Sequence, residues 1–433
     1  MECYSTKDSQ HRVPFREAVL RGLAPEKGLY MPAHLPRLPE TFWEAFAEMS
    51  FPELAFEVCR HLLRGAIDEG ALRNITTGAI NFEAPLVQLD ENVQVLELFH
   101  GPTLAFKDFG ARFMARLMGH FMEGEERKLT ILVATSGDTG GAVASGFWKT
   151  PGVEVIILYP SGKVSPLQEK QLTTLGENVE AVEVQGTFDD CQDLVKAAFL
   201  DEELNEKYLL SSANSINLAR LIPQMLYYFR AYQQLLPADK KVVFCVPSGN
   251  FGNLTAGLIA FEMGLPVAKF VAATNVNNVV PQYLETGNFE PRPSAATISN
   301  AMDVGNPSNF DRMLELYDHD WGQLRERIAG FYFDDSETQG CIRQVFQTHG
   351  YVLDPHTAIG YLAIKAFQER MRDTIGVVLA TAHPAKFAHV VEPVIGEAVP
   401  IPERLAVLAE REKKAVLLPA GFTAFKRWIL ERK

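Results

Sequence analysis

The stretch KLTILVATSGDTGGAVASGF, residues 128–147, has the pattern of a strand, a turn and a helix in succession. The apolar, β-branched run at its start predicts a buried strand, and the small residues at its end predict a helix. Six more apolar runs lie along the chain, and each is followed by a turn and an amphipathic segment. They are VQVLELF (93–99), VEVIILYP (153–160), VEAVEVQG (179–186), KVVFCVP (241–247), KFVAAT (269–274) and IGVVLAT (375–381). Strands that alternate with helices predict an α/β protein with one or two open, mostly parallel sheets.

The composition of the chain restricts its class. A length of 433 residues is too great for a single compact core and predicts two or three domains. A net charge of −13 argues against a general nucleic-acid-binding protein, which needs basic residues to neutralise the phosphate backbone. No 18-residue apolar run occurs and MECYSTKDSQHR lacks a secretory signal, so we expect neither a membrane segment nor export. Five scattered cysteines, never in CxxC spacing, favour a reduced cytoplasmic protein without a structural metal site.

Functional residues are expected in the turns after the strands, because open α/β sheets bind ligands at the carboxyl ends of their strands. Two of these turns are rich in glycine. One contains Ser136, Gly137, Asp138 and Thr139, and the other lies in VPSGNFGNLTAG, residues 246–257. Glycines allow close approach of the backbone, and a helix N-terminus offers free N–H groups to a carboxylate or a phosphate. Helix capping by the same residue types is the alternative for the first turn. The second turn is neither a Rossmann GxGxxG nor a P-loop, which leaves phosphate binding without a nucleotide signature.

Two further segments have polar side chains where strands are expected to end. NSINLAR contains Asn214, Ser215 and Arg220, residue types that suit recognition of a phosphate or a carboxylate. A capped helix with a solvated arginine is the alternative for this segment. ATAHPAKF contains Thr381 and His383. A single histidine in such a place is more often structural than catalytic.

One lysine, Lys107, stands in an apolar setting. In LFHGPTLAFKD, residues 98–108, it follows Leu104 and Phe106, and Phe109 comes two positions later. Such a lysine either extends its charge to solvent or is kept deprotonated, because an apolar setting favours the neutral amine. An amine that forms a Schiff base, together with glycine-rich anion turns, indicates pyridoxal 5′-phosphate as the cofactor.

Seven motifs of the chain resemble those of threonine synthase, a pyridoxal-phosphate enzyme of the tryptophan-synthase-β fold type. They are HGPTLAFKDFGARF, ATSGDTGGAVASGF, PSGKVSPLQEKQLTTLG, NSINLARLIPQ, PSGNFGNLTAG, NAMDVGNPSNFDR and TAHPAKF. The N-terminal YSTKD and REAVLRGLAPEKGLYMP are similar to the longer bacterial and fungal members, so that the resemblance extends from near residue 3 to about residue 390. The resemblance implies an α/β fold with the two open parallel-sheet domains of fold type II pyridoxal-phosphate enzymes.

Three regions are expected along the chain. Helical patterns such as TFWEAFAEM and PELAFEVCRHLLRGAI predict a mainly helical N-terminal region, 1–92. A smaller, mobile substrate-binding domain is expected at 111–215, because elimination intermediates must be protected from premature contact with water. Residues 93–110 and 216–433 then form the large cofactor-binding domain.

The resemblance also implies roles for single residues from their positions in these motifs. Lys107 matches the catalytic lysine that holds the cofactor, Thr381 the hydroxyl residue that faces the pyridine nitrogen, and Asp138 a position near the 3′ oxygen. The matches to the loop around the cofactor phosphate are Gly249, Asn250, Phe251, Gly252 and Asn253. The matches for the substrate carboxylate are Ser136, Gly137 and Thr139, and those for the substrate phosphate are Lys163, Asn214, Ser215 and Arg220.

The implied reaction converts O-phospho-L-homoserine and water into L-threonine and phosphate, with Lys107 transferring the Cα proton. Two alternatives are enzymes: a phospholyase that releases 2-oxobutyrate and ammonia, and a threonine or serine deaminase, which needs no second phosphate site. A non-catalytic metabolite-binding protein on an α/β fold is the alternative from another class, and it has no need for an amine in an apolar setting. The expected enzyme is cytoplasmic, is a monomer or homodimer, and binds no metal, nucleic acid or membrane.

Overall fold

Fourteen strands form three sheets in the computed structural model, which describes residues 1–432 of the chain. The strands are β1 Glu2–Ser5, β2 Asp8–Pro14, β3 Tyr30–Pro32, β4 Leu86–Asp90, β5 Val93–Glu97, β6 Leu129–Ala134, β7 Val153–Pro160, β8 Val179–Gln185, β9 Leu209–Ser212, β10 Lys241–Pro247, β11 Lys269–Thr274, β12 Ile328–Tyr332, β13 Thr374–Ala380 and β14 Val416–Pro419.

Twenty α-helices and four short 3₁₀ helices connect these strands. The α-helices are α1 Phe15–Arg21, α2 Glu40–Ala45, α3 Phe51–Leu62, α4 Glu69–Ala79, α5 Lys107–Phe121, α6 Asp138–Phe147, α7 Pro166–Thr173, α8 Phe188–Leu200, α9 Glu202–Lys207, α10 Leu218–Leu221, α11 Leu226–Gln234, α12 Gly252–Glu262, α13 Val279–Thr286, α14 Phe310–Glu315, α15 Trp321–Arg327, α16 Asp335–His349, α17 Pro355–Arg370, α18 Ala388–Ile395, α19 Glu403–Ala409 and α20 Phe422–Glu431. The 3₁₀ helices are Phe46–Glu48, Ile222–Met225, Asn300–Met302 and Pro384–Phe387. Within residues 1–432, no helix combines the length and the apolar composition that crossing a bilayer requires.

The larger sheet has six strands in the order β12-β11-β10-β13-β5-β4. Its neighbouring strands are parallel except for β4 and β5, which pair as an antiparallel hairpin at one edge. The central strand β10 is buried along nearly its whole length, as expected of a parallel sheet that is covered on both faces. Helix α17 packs against β10, β11 and β13.

The second sheet has five parallel strands in the order β14-β8-β7-β6-β9. Helices α5 and α6 pack against each other next to this sheet, and α8 packs on β6 and β7. The seven apolar runs predicted as strands are the seven strands β5, β6, β7, β8, β10, β11 and β13. The predicted α/β class with two open parallel sheets is therefore confirmed.

The C-terminal boundary of the predicted large domain is wrong. Strand β14 pairs in parallel with β8 and so belongs to the five-stranded sheet, although residues 216–433 were all assigned to the large domain. Phe425 and Ile429 of α20 join the apolar cluster beneath this sheet. The four-residue sequence VLLP does not indicate which strand β14 pairs with. The pairing with β8 depends on contacts between segments that are distant in the sequence.

The N-terminal boundary is also wrong, because a division between residues 92 and 93 cuts the hairpin of β4 and β5. Before this hairpin, the region contains four α-helices and also a three-stranded antiparallel sheet in the order β2-β1-β3. The sheet was not predicted. Its strand β2, DSQHRVP, is mostly exposed and has no apolar alternation that would indicate a strand.

The turns with candidate functional residues lie at the carboxyl ends of strands, as expected for open parallel sheets. The turn with Asp138 follows β6, and the one with Asn214 follows β9. In the larger sheet, the glycine-rich loop follows β10, the chain to Lys107 follows β5, and Thr381 follows β13.

Candidate active site

Lys107 is the first residue of α5 and is positioned by backbone pairing with the chain that follows β13. The Phe106 N–H donates a hydrogen bond to the Thr381 carbonyl at 2.9 Å. Ala105 pairs with Ala382 in an isolated antiparallel bridge. This pairing places Lys107 and Thr381, two predicted cofactor residues, on adjacent segments of backbone.

The start of α5 is anchored by Asp108, which is fully buried. Its carboxylate accepts a hydrogen bond from the Thr103 N–H at 2.8 Å and another from the Thr103 hydroxyl at 2.7 Å. Burial raises the pKa of Asp108 to about 6, against the opposing effect of these two hydrogen bonds. Gly101 lies against the same carboxylate, and a Cβ there would be 2.4 Å from Oδ2. The Gly-Pro turn before Lys107 is therefore packed around Asp108.

The amine of Lys107 is in an environment that favours its neutral form. The side chain is half-buried, and Nζ lies 5.8 Å from the centre of the Phe106 ring. Burial lowers the pKa of Lys107 to about 8; Asp138 opposes this shift by attraction, whereas Arg220 and Lys386 add to it by repulsion. An unperturbed lysine has a pKa of about 10.4 and is almost wholly protonated at neutral pH. A larger fraction of Lys107 is therefore available as a nucleophile or base.

Asp138, at the start of α6, forms a buried ion pair with Lys386, a residue that the sequence interpretation missed. Lys386 Nζ lies 2.6 Å from Asp138 Oδ1, and the two side chains are 0% and 8% exposed. Lys386 also donates to the Thr103 carbonyl at 2.8 Å, and Gln168 Nε2 donates to Asp138 Oδ1 at 3.0 Å. Burial alone would raise the pKa of Asp138, but the positive charges of Lys386 and Lys107 hold it well below its usual value. Asp138 is therefore an anion near Lys107.

The turn before α6 is organised by the hydroxyl of Thr135, which the sequence interpretation also missed. The N–H groups of Gly137 and Gly140 donate to Thr135 Oγ1 at 3.0 and 2.9 Å. Gly137 has a φ of +148°, and a Cβ there would lie 2.5 Å from a side-chain amide of α7, so that the turn requires glycine. Ser136 is exposed and Thr139 is half-buried. At the positive end of a helix dipole, these groups suit a carboxylate.

The loop from Gly249 to Asn253 joins β10 to α12. Phe251 has a left-handed φ of +60°, which turns the chain into the helix. The buried Asn253 accepts hydrogen bonds at Oδ1 from the hydroxyls of Tyr227 at 2.6 Å and Tyr228 at 2.7 Å. Its Nδ2 is buried and has no hydrogen-bond partner among the described residues. A buried donor without an acceptor, beside a helix N-terminus, fits a phosphate group. Lys107 and this loop together fit the aldehyde and the phosphate of pyridoxal 5′-phosphate.

We expect Gly249→Ala to disturb this loop. A Cβ at Gly249 would lie 2.6 Å from the Ala301 carbonyl oxygen and 3.0 Å from Met302 Cα, and these backbone atoms have little room to move. The expected cost is about 1–3 kcal/mol of unfolding free energy, together with weaker binding of pyridoxal 5′-phosphate to the apoprotein. Denaturant unfolding and a cofactor titration measure the two effects. Gly340→Ala is the matched control, because it lies within α16 with no atom within 4 Å of the added carbon; there we expect stabilisation of about 0.5–1 kcal/mol. Equal unfolding free energies and equal cofactor affinities of the two variants would show that the close packing of Gly249 against Ala301 and Met302 does not matter.

Asn214 and Ser215 lie between β9 and α10, and Arg220 lies within α10. Arg220 is 2% exposed, its NH1 donates to a backbone carbonyl of the preceding turn at 2.6 Å, and its Nε has no hydrogen-bond partner among the described residues. Burial lowers the pKa of Arg220 to about 10, so that it stays a cation at neutral pH. Arg220 packs against Gly110 of α5, because a Cβ added at Gly110 would lie 2.8 Å from the Arg220 Nε. Gly110 lies about one helical turn after Lys107, so Arg220 packs near the start of the helix that carries Lys107. This buried positive charge suits an anionic ligand.

The structure does not show Lys163 in contact with the other candidate residues. It is exposed in the turn between β7 and α7, and its ammonium has no hydrogen bond or ion pair within residues 1–432. Its assignment to the substrate phosphate stays a prediction. For His383 the structure agrees with the expectation of a structural role. Its Nδ1 accepts a hydrogen bond from the Ala385 N–H at 3.2 Å and so caps the 3₁₀ helix Pro384–Phe387.

Four residues of the site were missed in the sequence: Thr135, Tyr227, Tyr228 and Lys386. Thr135 and Lys386 lie inside motifs that carry the family resemblance, and the two tyrosines follow NSINLARLIPQ, within α11. Lys386 had one available signal, because it is a lysine between the apolar residues Ala385 and Phe387 in the segment that follows β13. The tyrosines had none, since aromatic residues on a helix usually indicate core packing.

Profiles of three families match successive parts of the chain, the last two of which overlap. "Threonine synthase N terminus" matches residues 2–80, "Pyridoxal-phosphate dependent enzyme" matches 82–381, and "Threonine synthase, C-terminal" matches 357–429. The threonine synthase of Escherichia coli strain K12 is 44% identical over 434 residues, which cover 100% of both chains. That of Haemophilus influenzae is 46% identical and covers 94% of both chains.

Solved structures agree with these matches. The crystal structure of the Escherichia coli threonine synthase has a TM-score of 0.93 to this chain and covers 100% of both. The pyridoxal-phosphate-bound threonine synthase of Brucella melitensis, 37% identical, also has a TM-score of 0.93, with 99% of this chain and 98% of that chain covered. The resemblance found in the motifs is thus confirmed over the whole length, and the chain belongs to the threonine synthase family of pyridoxal-phosphate-dependent enzymes.

Proposed function

We propose that the chain uses pyridoxal 5′-phosphate to convert O-phospho-L-homoserine and water into L-threonine and phosphate. Its membership of the family over the full length supports this activity. The observation that carries it is the Lys107 amine, whose pKa is lowered to about 8 by burial, and which is near enough to Asp138 and to the buried cation Arg220 for both charges to act on it. Arg220 supplies the positive charge for an anionic substrate. When bound, pyridoxal 5′-phosphate supplies a conjugated ring that stabilises negative charge at the substrate Cα.

Lys107 is the proposed attachment point of the cofactor and the base of the reaction. With substrate and cofactor bound, the Lys107 amine would remove the substrate Cα proton and later return one. A base of pKa about 8 suits both transfers, because its neutral and protonated forms are both present near neutral pH. Asp138 is proposed to lie at the 3′ oxygen of the cofactor and Thr381 at its pyridine nitrogen.

Two groups of residues are proposed to bind the substrate at its two ends. Ser136, Gly137 and Thr139 at the start of α6 hold the carboxylate through the helix N-terminus. The other group holds the phosphate, which leaves from Cγ as an anion, so that positive charge and hydroxyl donors there stabilise the leaving group. It consists of Lys163, Asn214, Ser215 and Arg220. The loop from Gly249 to Asn253 holds the phosphate of the cofactor.

The five-stranded sheet and its helices, centred on 111–215 and completed by β14, are proposed to close over the substrate. The turn with Lys163 precedes α7, and Gln168 of that helix contacts Asp138 at 3.0 Å. Closure would bring the exposed Lys163 towards the substrate phosphate and exclude water until the addition step. We further propose a cytoplasmic enzyme that acts as a monomer or homodimer; its five cysteines are buried and unpaired, as in a reducing compartment.

The products distinguish this function from that of a phospholyase. We expect purified protein with pyridoxal 5′-phosphate and O-phospho-L-homoserine to release phosphate and threonine in equal amounts, because water adds to Cβ before the product leaves. Amino-acid chromatography measures threonine, and a coupled dehydrogenase assay measures 2-oxobutyrate. Phosphate release with 2-oxobutyrate and ammonia, and without threonine, would show the phospholyase instead. Deamination of threonine or serine without phosphate release would refute both.

A further inference from the structure

The segment NAMDVGNPSNFDR, residues 300–312, contacts both proposed phosphate sites, yet the proposed function gives it no role. The Asn309 N–H donates to the Asn250 carbonyl at 3.3 Å, and the Ser308 hydroxyl donates to the Asn250 side-chain oxygen at 3.3 Å. On its other side, Asn309 Nδ2 donates to Ser215 Oγ at 3.5 Å. The segment thus joins the loop around the cofactor phosphate to the cluster for the substrate phosphate.

The orientation of the Asn309 amide is fixed by Arg312. Arg312 NH1 donates to Asn309 Oδ1 at 2.7 Å. A guanidinium has only donors, so the amide oxygen must face Arg312 and the amide nitrogen must face Ser215. Asn309 is fully buried and cannot exchange these partners with water. The half-buried Ser215 hydroxyl therefore receives a hydrogen bond, and its own O–H is left free to donate to another group.

Arg312 is itself fully buried, and its hydrogen bonds all end on neutral oxygens. Besides Asn309, it donates to the carbonyls of Tyr30 at 3.0 Å, Ile216 at 2.7 Å and Ser215 at 3.4 Å. Burial lowers the pKa of Arg312 to about 9, which still leaves it charged at neutral pH. A buried cation that is solvated only by dipoles favours a nearby anion, because its field is weakly screened. The contacts with the Ser215 and Ile216 carbonyls also hold the backbone of the segment that presents the Ser215 side chain.

We propose that Arg312 and Asn309 are positioning residues that turn the Ser215 hydroxyl into a donor for the substrate phosphate. Each group donates to the next, from Arg312 to Asn309, from Asn309 to Ser215, and from Ser215 to the phosphate. Arg312 sets the direction of this series of hydrogen bonds, because its guanidinium can donate hydrogen bonds but cannot accept them. The proposal rests on the proposed function, which assigns Ser215 to the substrate phosphate.

The decisive variant is Asn309→Asp, which keeps the shape of the side chain and reverses the polarity of one hydrogen bond. The new carboxylate pairs with Arg312, so we expect the melting temperature to stay the same or to rise. It accepts from the Ser215 hydroxyl, which then presents lone pairs to the phosphate. We expect the Kd of the holoenzyme for inorganic phosphate, measured by ³¹P NMR titration, to rise about tenfold or more. The KM for O-phospho-L-homoserine should rise by a similar factor, with a smaller change in kcat.

Two controls separate the polarity effect from the added charge. Asn306→Asp places the same charge on an exposed residue of the same segment, and its phosphate Kd should stay within about twofold of wild type, because exposed charges are screened. In a Ser215→Ala background, Asn309→Asp should cause little further loss, since the hydroxyl through which it acts is gone. Simple repulsion by the carboxylate would instead persist in that background. Asn309→Ala adds no charge and should weaken phosphate binding by a smaller factor, and this effect should also disappear in the Ser215→Ala background. If Asn309→Asp does not fold, Asn309→Ala provides the test.

The inference is supported if a folded Asn309 variant binds phosphate more weakly than the wild type, and if the same substitution causes no further weakening in the Ser215→Ala background. Unchanged phosphate affinity in both Asn309 variants overturns it, as does an equal loss with and without Ser215. These outcomes leave the proposed function intact if the wild type still forms threonine. Failure of the wild type to bind inorganic phosphate would overturn the assignment of Ser215, and the inference with it.

Discussion

Lys107→Ala is expected to abolish threonine formation and the covalent attachment of the cofactor together. The variant lacks the amine that bonds to the cofactor aldehyde and the base that moves the Cα proton. Loss of a positioned proton-transfer group alone lowers rates by about 10²–10⁴-fold. The visible absorbance of the purified protein, mass spectrometry after borohydride reduction and a threonine assay measure the effects. Lys196→Ala is the control, because Lys196 forms an exposed surface ion pair with Asp193.

The fold should survive this substitution, since Asp138 keeps its 2.6 Å ion pair with Lys386. A melting temperature close to that of the wild type would show that the loss of activity is local. The wild-type apoprotein should capture pyridoxal 5′-phosphate faster as the pH rises through about 8, because only the neutral form of Lys107 attacks the aldehyde. A Lys107→Ala variant that kept the absorbance and the turnover of the wild type would refute the assignment.

Seven strands, among them four that lead into the site, could be predicted from the sequence because their apolar runs are largely buried. β10, KVVFCVP, shows this most clearly, since it lies at the centre of the larger sheet. Its apolar character is local information. The edge strand β14 was not predictable in this way, because it is mostly exposed and its membership of the five-stranded sheet depends on pairing with β8. Such pairing is a property of the folded chain.

The candidate site shows the same division. Lys107 could be singled out by its apolar neighbours and by the family motifs, and the glycine-rich turns by their composition. Lys386 could not, because its role depends on a carboxylate that the other sheet supplies. Arg312 lies in a motif quoted for its resemblance, but the sequence gives no sign that its partners are carbonyls of Tyr30 and Ile216. Contacts between distant segments determine these positions.

Lys386→Met is expected to be the most destabilising change at the site. It removes the buried ammonium that lies 2.6 Å from Asp138 Oδ1 and 2.8 Å from the Thr103 carbonyl. Breaking a buried ion pair by removing one partner costs about 3–5 kcal/mol, because the other charge is left without compensation. Lys365→Met is the matched control, since Lys365 and Asp90 form a pair at 2.9 Å with side chains 48% and 21% exposed. Exposed pairs contribute about 0–1 kcal/mol. Equal losses in denaturant unfolding of the two variants would contradict the buried pair.

The second substitution Asp138→Asn should restore much of the stability lost in Lys386→Met, because both charges are then absent. The dependence on pH gives an independent check. In the wild type the pKa of Asp138 is held below its usual value, so the pair contributes stability above that usual value and loses it as the pH falls towards the folded pKa. In Lys386→Met the carboxyl takes up a proton more readily. The difference in unfolding free energy between wild type and variant should therefore be largest near neutral pH and should narrow in acid.

The same substitution should shift the reactivity of Lys107 to higher pH. Lys386 repels the Lys107 ammonium and thereby helps to lower the pKa of Lys107 to about 8. Without Lys386 this repulsion is lost, and Asp138 attracts the Lys107 ammonium without a competing cation. Both effects favour protonated Lys107, so the pH of half-maximal cofactor capture by the Lys386→Met apoprotein should lie above that of the wild type. A purely structural loss would lower the amplitude of capture without moving this midpoint. A midpoint that stays in place in a folded variant would therefore show that Lys386 does not act on the amine of Lys107.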